Sequence, residues 1–174
     1  MSNTKALASG VFNVKCYGAD GKLKWEEENH NLVVNEGLQY MVASALDGFT
    51  PITTWYIGLY GAGASNAPAA GDTMASHAGW TEVVPYSQAT RVQAVFGTAT
   101  TANPSVLSNS ASVAAFSINV AGPTTIGGAF LTSDSAKSGT TGTLFSASDF
   151  TGGDRSVISG DTLNVTYTFS LTAT

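Results

Sequence analysis

Hydrophobic and polar residues alternate strictly in several short segments of the chain. The clearest is TLNVTYTFSLT at residues 162–172, where every second residue is apolar and the residues between are Asn, Thr or Ser. Successive side chains of a β-strand point to opposite faces, so this alternation predicts a strand with one buried face. FNVKCY at residues 12–17 and KLKWEEE at residues 22–28 flank the turn residues GADG. They predict a β-hairpin over residues 11–28.

One segment, NEGLQYMVASALDG, has helical periodicity. Its apolar residues recur at the spacing i, i+3, i+4, i+7 and i+8; they are Leu38, Met41, Val42, Ala45 and Leu46. This spacing predicts an amphipathic helix over about residues 35–47 that closes one end of the domain. Asn35 is a favoured N-cap residue, and Gly48 is well placed to end the helix.

Most of the chain after Trp80 consists of β-rich segments separated by clusters of Gly, Ser, Thr and Asn. With TWYIGLY at residues 54–60, they are WTEVVPY, TRVQAVFGT, SVAAFSINV, TTIGGAFLTS and TLFSASDF. Many short strands at such spacing predict a mainly β fold, an antiparallel β-sandwich or jelly-roll-like single domain with one helix. We expect residues 11–174 to form this domain and residues 1–10 to be a flexible N-terminal arm that orders on contact.

The composition narrows the possible partners. Charged residues make up only 11% of the chain, compared with about 25% in ordinary soluble domains. The seven basic residues are scattered, which disfavours nucleic-acid binding. No apolar run approaches membrane-spanning length and no signal-peptide pattern is present, so we expect a chain made in the cytoplasm with no membrane partner.

Cys16 has no partner for an intrachain disulfide, and its place in an alternating segment predicts burial.

The stretch AAGDTMASHAGWTEVVPYSQATR, residues 69–91, contains the residue types of a hydrolytic triad in Asp72, Ser76 and His77. Members of a triad normally converge from separate elements, with a base oriented by a third group. Ser76 and His77 are adjacent, and no G-x-S-x-G motif occurs in the chain. The pattern therefore disfavours a catalytic loop.

A structural interpretation fits this stretch better. Asp72 is a typical turn residue, and His77 is placed to brace a tight bend before Trp80. The Trp80 ring is expected to be buried and to anchor the following strand. Arg91 is expected to pair with Glu82 or Asp72.

The other motifs that could bind a metal ion or a phosphate are weak. The two histidines and the single cysteine do not have zinc-ligand spacing, and the acidic residues form no calcium-binding array. We interpret Asp149 and Asp154 as turn residues and the acidic run at residues 26–28 as a solvated strand end. YGAGAS at residues 60–65 lacks the lysine and the following helix of a phosphate-binding loop. We expect no enzymatic activity, no cofactor and no metal.

The loop of residues 61–79 is long and almost uncharged. Loops of more than about 12–15 residues are usually either functional or disordered. We therefore expect this loop and the N-terminal arm to contact a partner protein. The contact residues proposed on this basis are Lys5, Ala6, Leu7, Pro68, Met74 and His77.

Several blocks of the chain, spanning roughly residues 30–172, resemble a family of small virion proteins of tailed bacteriophages. The blocks are HNLVVNEGLQYMVASAL, WYIGLY, AGDTMASHAGWTEVVPYSQATR, GGAFLTSD, SGTTGTLFSASDF and SGDTLNVTYTFSLT. GDTMASHAGWTE is the most specific of them. The resemblance implies a structural component of the phage particle with no catalytic residues. Within the virion it favours a head decoration (cement) protein on the outer capsid surface, which bridges neighbouring major capsid subunits and acts as a dimer or trimer.

Three other functions stay open. A tail or fibre-associated structural protein would share the same sequence features. Exposed aromatic residues such as Trp25, Trp55 and Tyr60 would suit a carbohydrate-binding β-sandwich. A hydrolase would use His77 and Asp72.

Overall fold

A computed structural model describes residues 5–61 and 67–174 of the chain. The strands in these residues are β1 (Ala6–Tyr17), β2 (Leu23–His30), β3 (Leu32–Val33), β4 (Trp55–Gly61), β5 (Thr81–Val83), β6 (Val92–Ala94), β7 (Ser105–Ser108), β8 (Ala114–Ser117), β9 (Thr124–Ile126), β10 (Gly128–Thr132), β11 (Leu144–Asp149), β12 (Arg155–Val157) and β13 (Thr162–Ala173). One helix, α1, spans Asn35–Leu46 in the described part of the chain. The predicted mainly β single domain with one helix is confirmed.

Two antiparallel sheets form a sandwich-like arrangement. The first has the order β2-β1-β13-β7, and β8 pairs with the part of β13 that β7 leaves free. The second has the order β3-β11-β10-β4-β5, and β6 pairs with the first half of β4. β9 and β12 form a separate two-stranded ribbon.

The first sheet is built around the pairing of β1 with β13, which runs along the whole length of both strands. Beyond its end, the Lys5 amide donates to the Thr174 carbonyl at 2.7 Å and the Thr174 amide donates back at 2.9 Å. Residues 6–10 therefore belong to β1, and the expectation that they form a flexible arm is wrong. Small residues in this segment hide the alternation, but the backbone pairs all the same. Residues 1–4 lie outside the described residues.

The main core lies between the two sheets. Its buried side chains from the first sheet include Phe12, Val14, Cys16, Leu163, Val165 and Tyr167, and those from the second include Ile57, Leu59, Ala129, Leu131 and Phe145. The alternating residues of β1 and β13 thus face the core as predicted, and Cys16 is fully buried. The hairpin of residues 11–28 is also confirmed, because β2 pairs with β1.

A second, smaller core lies on the outer face of the second sheet. It consists of Val34, Tyr60, Met74, Trp80, Phe130, Leu144 and Ala147. Met74 and Trp80 belong to residues 67–80, which we name the capping loop because they cover this face. The central strands β4, β10 and β11 are consequently buried on both sides, which explains why their sequences are continuous apolar runs.

The ends of α1 lie close to the predicted positions, but the N-terminal cap differs. Val34 occupies the N-cap position and makes no capping side-chain hydrogen bond, so the predicted cap at Asn35 is wrong. The Asn35 amide instead donates to the carbonyl of Ala70 in the capping loop at 2.8 Å. This contact satisfies a helix-end amide that a side-chain cap would otherwise take. Gly48, with φ +65°, follows the C-terminal end as predicted.

The first turn of α1 lies against β11. The Leu144 amide donates to Glu36 at 3.0 Å, and the Val34 amide donates to the Phe145 carbonyl at 3.2 Å. Gly37 is the buried residue of the helix, and a Cβ atom at this position would overlap the Phe145 carbonyl oxygen. The absence of a side chain at Gly37 therefore sets how closely the helix approaches the sheet.

Candidate functional site

The capping loop consists of three consecutive tight turns. The Asp72 amide donates to the Ala69 carbonyl at 3.0 Å, and the Ser76 amide donates to the Thr73 carbonyl at 3.2 Å. A third turn forms before Trp80, whose amide donates to the carbonyl of residue 77 at 3.2 Å. The predicted bend before Trp80 is confirmed.

Asp72 is the polar centre of this loop. It is buried, and its Oδ2 accepts hydrogen bonds from the Ala69 amide at 3.0 Å and from the Trp80 indole nitrogen at 2.9 Å. The second bond satisfies the only polar atom of the indole, so the Trp80 ring can pack on Tyr60 and Phe130 with centroids 5.1 and 5.0 Å away. Asp72 therefore serves to bury Trp80 and to close the loop over the sheet.

His77 is held against the same tryptophan. Its ring stacks on Trp80 with the centroids 3.8 Å apart and an interplanar angle of 15°, and its Nδ1 donates to the Trp80 carbonyl at 2.8 Å. Among the described residues, His77 makes no hydrogen bond to Ser76 or Asp72. The three residue types of a hydrolytic triad are present, but their geometry is not that of a triad.

The predicted contact residues are divided among different environments. Lys5, Ala6 and Leu7 are exposed at the start of β1. Pro68 and His77 are partly buried in the capping loop, and His77 borders a shallow groove with Glu82 and residues 138–140. The structure does not bring Leu7 and His77 to one groove.

Met74 was expected to contact a partner, and the structure contradicts this. Its side chain is 1% exposed and packs in the second core with Trp80 and Phe130. Methionine is flexible enough to fill an irregular gap between aromatic rings. Its burial is the reason that it cannot reach a partner while the loop stays closed.

A buried arginine joins β5 to the loop that follows β10. The Arg91 Nε and one terminal nitrogen donate to the two carboxylate oxygens of Glu82 at 3.0 and 2.8 Å. Its other bonds reach the carbonyls of Asp134 and Gly139, both at 2.9 Å. The prediction that Arg91 pairs with Glu82 or Asp72 is thus confirmed for Glu82. The planar guanidinium suits this bidentate geometry.

A second buried carboxylate corrects the interpretation of the acidic run. Glu27 is 5% exposed and accepts a hydrogen bond from the Arg155 Nε at 2.6 Å. Glu26 and Glu28, its neighbours, are exposed. The run is therefore not uniformly solvated, because alternate residues of β2 face inward.

The aromatic residues proposed for carbohydrate binding do not form an exposed platform. Tyr60 is fully buried, and Trp25 and Trp55 are partly buried against the main core. The two tryptophans also lie on different sheets, in β2 and β4. The expectation that these three residues are exposed is wrong.

The remaining acidic candidates form no metal site within the described residues, where no group of three or more His, Cys, Asp or Glu side chains is close enough to hold an ion. Burial raises the pKa of the Asp149 carboxyl, to which the Tyr60 hydroxyl donates at 3.4 Å. Tyr60 and Gly61 end β4, and residues 62–65 of the proposed phosphate-loop pattern lie outside the described residues. Within residues 5–61 and 67–174, no helix is long and apolar enough to cross a membrane.

The most distinctive surface is one that the sequence pattern did not indicate. The outer side of α1 exposes Leu38, Val42 and Leu46 to 44%, 62% and 85%, although the helical pattern marked these residues as an apolar face that would be buried. Residues Tyr40, Met41 and Ser44 face the sandwich instead and line a cleft of about 340 Å³. The available signal was the shortage of polar residues around the helix: Glu36 is its one charged residue.

Leu38, Val42 and Leu46 belong to a larger apolar surface, which we name the α1 face. The three border a groove of about 580 Å³ between α1 and the adjoining ends of β1, β3 and β13. Exposed leucines from those strands complete the face; they are Leu7 (53%), Leu32 (38%) and Leu171 (43%). Among the described residues, no charged side chain lines the groove. An exposed apolar surface of this extent is typical of a protein–protein contact.

Comparisons of this chain with protein-family models, with curated proteins and with solved structures gave no match.

Proposed function

We propose that this chain is a structural protein of a tailed-phage particle, and that it is a head decoration (cement) protein bound to the outer capsid surface. The polar residues Asp72, Glu82 and Arg91 form their hydrogen bonds within the domain. The observation that carries the proposal is the α1 face, an uncharged apolar surface that the domain exposes. Such a surface suits association with protein and not the binding of a small polar substrate.

The sequence resemblance gives the proposal its biological setting. The blocks that resemble phage virion proteins include β3 with α1, β4, the capping loop with β5, β10, β11 and β13. These elements contribute to both cores and to the α1 face. The most specific block, GDTMASHAGWTE, forms the bonded unit of Asp72, His77 and Trp80.

The mechanism is stabilisation by selective binding. A protein that binds the assembled shell, but not free capsid subunits, shifts the equilibrium toward the shell by mass action. A stable contact of this kind buries upward of about 1,000 Å² in total. Repetition at many equivalent sites on the capsid multiplies a modest contact into a large stabilisation of the particle. The partner in this proposal is the major capsid protein.

A tail or fibre-associated role is the second candidate. It is favoured by the same apolar face and the same sequence blocks, since neither feature identifies a position in the virion. The copy number per particle separates the two roles, because a shell presents hundreds of equivalent sites and a tail or vertex presents a few.

The test is a binding experiment with expanded heads of the phage that encodes this chain, stripped of their accessory proteins. Heads are incubated with the purified protein and sedimented, and the bound copies per particle are counted. Saturation at hundreds of copies, with heads that then survive higher temperature, is the expected result. Saturation at about a dozen copies or fewer would move the protein to the tail or a vertex.

Unexpanded heads provide the control. A decoration protein that recognises the mature lattice binds expanded heads and leaves unexpanded heads uncoated. Absence of binding to either form would contradict the proposed function.

A further inference from the structure

We propose that the cleft on the sandwich side of α1 is a binding site for a small molecule, and that its ligand is a neutral, planar aromatic compound of about two fused rings. We name this site the aromatic cleft. Such a site would bind its ligand independently of any role in a phage particle, because no capsid subunit takes part in it.

The aromatic cleft opens into the space between the two sheets. The first sheet contributes residues of β7 and β13 to its lining, and the second contributes residues of β4, β10 and β11. Tyr40, Met41 and Ser44 of α1 line a further side. Leu131 and Phe145 also belong to the main core, where they are almost fully buried. The cleft therefore reaches from the surface to the main core.

The volume of the cleft, about 340 Å³, is that of a ligand site and not of a packing defect. Protein interiors are close-packed, and voids larger than a water molecule are few. An apolar cavity of about 150 Å³ holds one benzene molecule, and ligand pockets generally have volumes of about 300–1,000 Å³. The aromatic cleft therefore accommodates a molecule of about two fused six-membered rings.

The walls of the cleft are aromatic and are held by contacts with one another. Ring centroids are 5.1 Å apart for Tyr40 and Trp55, 5.5 Å for Trp55 and Phe145, and 5.2 Å for Phe145 and Phe169. The interplanar angles of these pairs are 77°, 69° and 79°, so each ring meets the next edge to face. A planar aromatic ligand continues this series, because aromatic rings favour edge-to-face and offset contacts. Six aromatic residues line the cleft in all: Tyr40, Trp55, Phe96, Phe145, Tyr167 and Phe169.

The polar atoms of the lining favour a ligand without charge. In residues 5–61 and 67–174, no charged side chain lines the cleft, and the hydroxyl groups that do belong to Tyr40, Ser44 and Tyr167. Each of these hydroxyls already has a hydrogen-bond partner in the protein. The Ile52 amide, for example, donates to the Tyr40 hydroxyl at 3.0 Å. A charged group that entered the cleft would lose its hydration without gaining an ionic partner.

The first measurement is a titration of the full chain with naphthalene, followed by nuclear magnetic resonance of isotope-labelled methionine methyl groups. Met41 lines the cleft, whereas Met74 is 1% exposed in the second core and serves as the control within the same molecule. We expect the ring current of bound naphthalene to shift the Met41 methyl signal and to leave the Met74 signal in place. Met41→Leu identifies the Met41 signal by its disappearance. The expected dissociation constant is on the order of 100 μM.

Two further probes test the class of ligand. A naphthalene disulfonate with one sulfonate on each ring should bind at least about 100-fold more weakly, because entry of either ring would bury an unpaired charge. Octanol has nearly as many non-hydrogen atoms as naphthalene but no aromatic ring. It should bind at least about fivefold more weakly, since it makes no edge-to-face contacts.

A variant that fills the cleft tests the location independently. Ser44→Phe places a ring in the cleft and should weaken naphthalene binding at least about tenfold. Gln39→Phe is the matched control, because it adds the same ring at an exposed position of α1 that does not line the cleft. Leu46→Ala is the control for the α1 face, to which Leu46 belongs, and it should leave the affinity unchanged. Circular dichroism establishes that each variant is folded; if Ser44→Phe is not, the methyl signals of the wild type decide.

Each contrary outcome overturns the proposal. No shift of the Met41 signal up to saturating naphthalene, or equal shifts of Met41 and Met74, would exclude a site in the cleft. Equal weakening by Leu46→Ala and Ser44→Phe would place the bound molecule on the α1 face. Tighter binding of octanol would replace an aromatic ligand by an aliphatic chain, and equal binding of the disulfonate would exclude insertion. Since no phage heads are used, these outcomes are distinct from those of the capsid-binding test.

Discussion

Arg91 is the largest fully buried side chain of the described residues, and it bonds to both carboxylate oxygens of Glu82 and to two backbone carbonyls. Its planar guanidinium group also lies over the Phe130 ring, with 5.3 Å between the guanidinium carbon and the ring centroid. Removal of one partner from such a pair leaves an uncompensated charge in the interior. The residue therefore joins the loop before β6 to the loop that follows β10.

We predict that Arg91→Met lowers the free energy of unfolding by about 3–5 kcal/mol, the range seen when one member of a buried ion pair is removed. The measurement is urea unfolding at neutral pH. Lys15→Met is the matched control, because Lys15 pairs with Glu26 at 3.1 Å on the exposed surface, and it should change stability little. An equal loss in both variants would contradict the structural role assigned to Arg91.

The contributions of Asp134 and Asp149 to the free energy of unfolding are expected to change with pH in opposite directions. Hydrogen bonds from the Ala136 amide and the Thr141 hydroxyl hold the pKa of Asp134 below its ordinary value. Its carboxylate therefore stabilises the fold above the unfolded-state pKa of about 3.9, and this contribution is lost as the pH falls through the folded-state pKa. Burial raises the pKa of Asp149, so its contribution is present at low pH and is lost as the pH rises.

We predict that Asp134→Asn lowers the free energy of unfolding at pH 7 and that Asp149→Asn raises it. Both differences should shrink at pH 3. The carboxyl of Asp149 is then largely neutral, like the amide, and protonation of Asp134 in the unfolded state removes part of the advantage of its bonded carboxylate. Urea unfolding of the two variants and the wild type at both pH values checks this, and each variant serves as the control of the other. The same sign for both variants at pH 7 would be inconsistent with the environments described.

At the scale of the elements, the long strands could be predicted from the sequence, whereas the short strands and the cap of α1 could not. The long strands β1 and β13 could be predicted because one face of each packs on the main core and the other does not. The short strands β3, β7 and β12 could not, because two to four residues are too few to show a period. Tertiary contacts also decided the cap of α1, where a carbonyl of the capping loop takes the place of the expected Asn35 side chain.

We predict that Gly37→Ala destabilises the protein, although the same change in an exposed helix normally stabilises by about 1 kcal/mol. The added methyl group would overlap the Phe145 carbonyl oxygen, which is backbone and cannot turn aside. We expect a loss of about 1–3 kcal/mol in the free energy of unfolding, as for overpacking in a core. Gln39→Ala, at an exposed position of the same helix, is the control and should be nearly neutral.

At the scale of the whole molecule, an apolar and uncharged segment can be either buried in a core or exposed on the surface. The apolar spacing of α1 predicted the helix, but it did not reveal that Tyr40 and Met41 face the sandwich while Leu38 and Val42 face outward. The loop of residues 61–79 was expected to contact a partner because it is uncharged. In the described part of it, Met74 is buried because the outer face of the second sheet needs a cover. Which apolar residues remain exposed depends on the arrangement of the sheets, and the local periodicity of a segment does not reveal that arrangement.

We predict that deletion of residues 2–9 lowers the free energy of unfolding by about 2–4 kcal/mol, from the loss of several backbone hydrogen bonds with β13 and of side-chain contacts. A flexible arm would cost almost nothing to remove. Deletion of residues 2–4 is the control, because it leaves every pair of β1 with β13 in place. Unfolding at two protein concentrations separates folding from association. Equal stability of both deletions would show that residues 6–9 do not act as a strand.

The pairing of β1 with β13 also has a consequence for synthesis on the ribosome. β1 is an inner strand of the first sheet, and it acquires β2 as a neighbour almost at once. Its other neighbour, β13, is translated more than a hundred residues later, which takes on the order of ten seconds at cellular rates of translation. A nascent chain must keep one edge of its central hairpin open throughout that interval. Until β13 is made, the unpaired edge of β1 is free to pair with a strand of another chain, so the yield of native protein depends on how well that edge is shielded during synthesis.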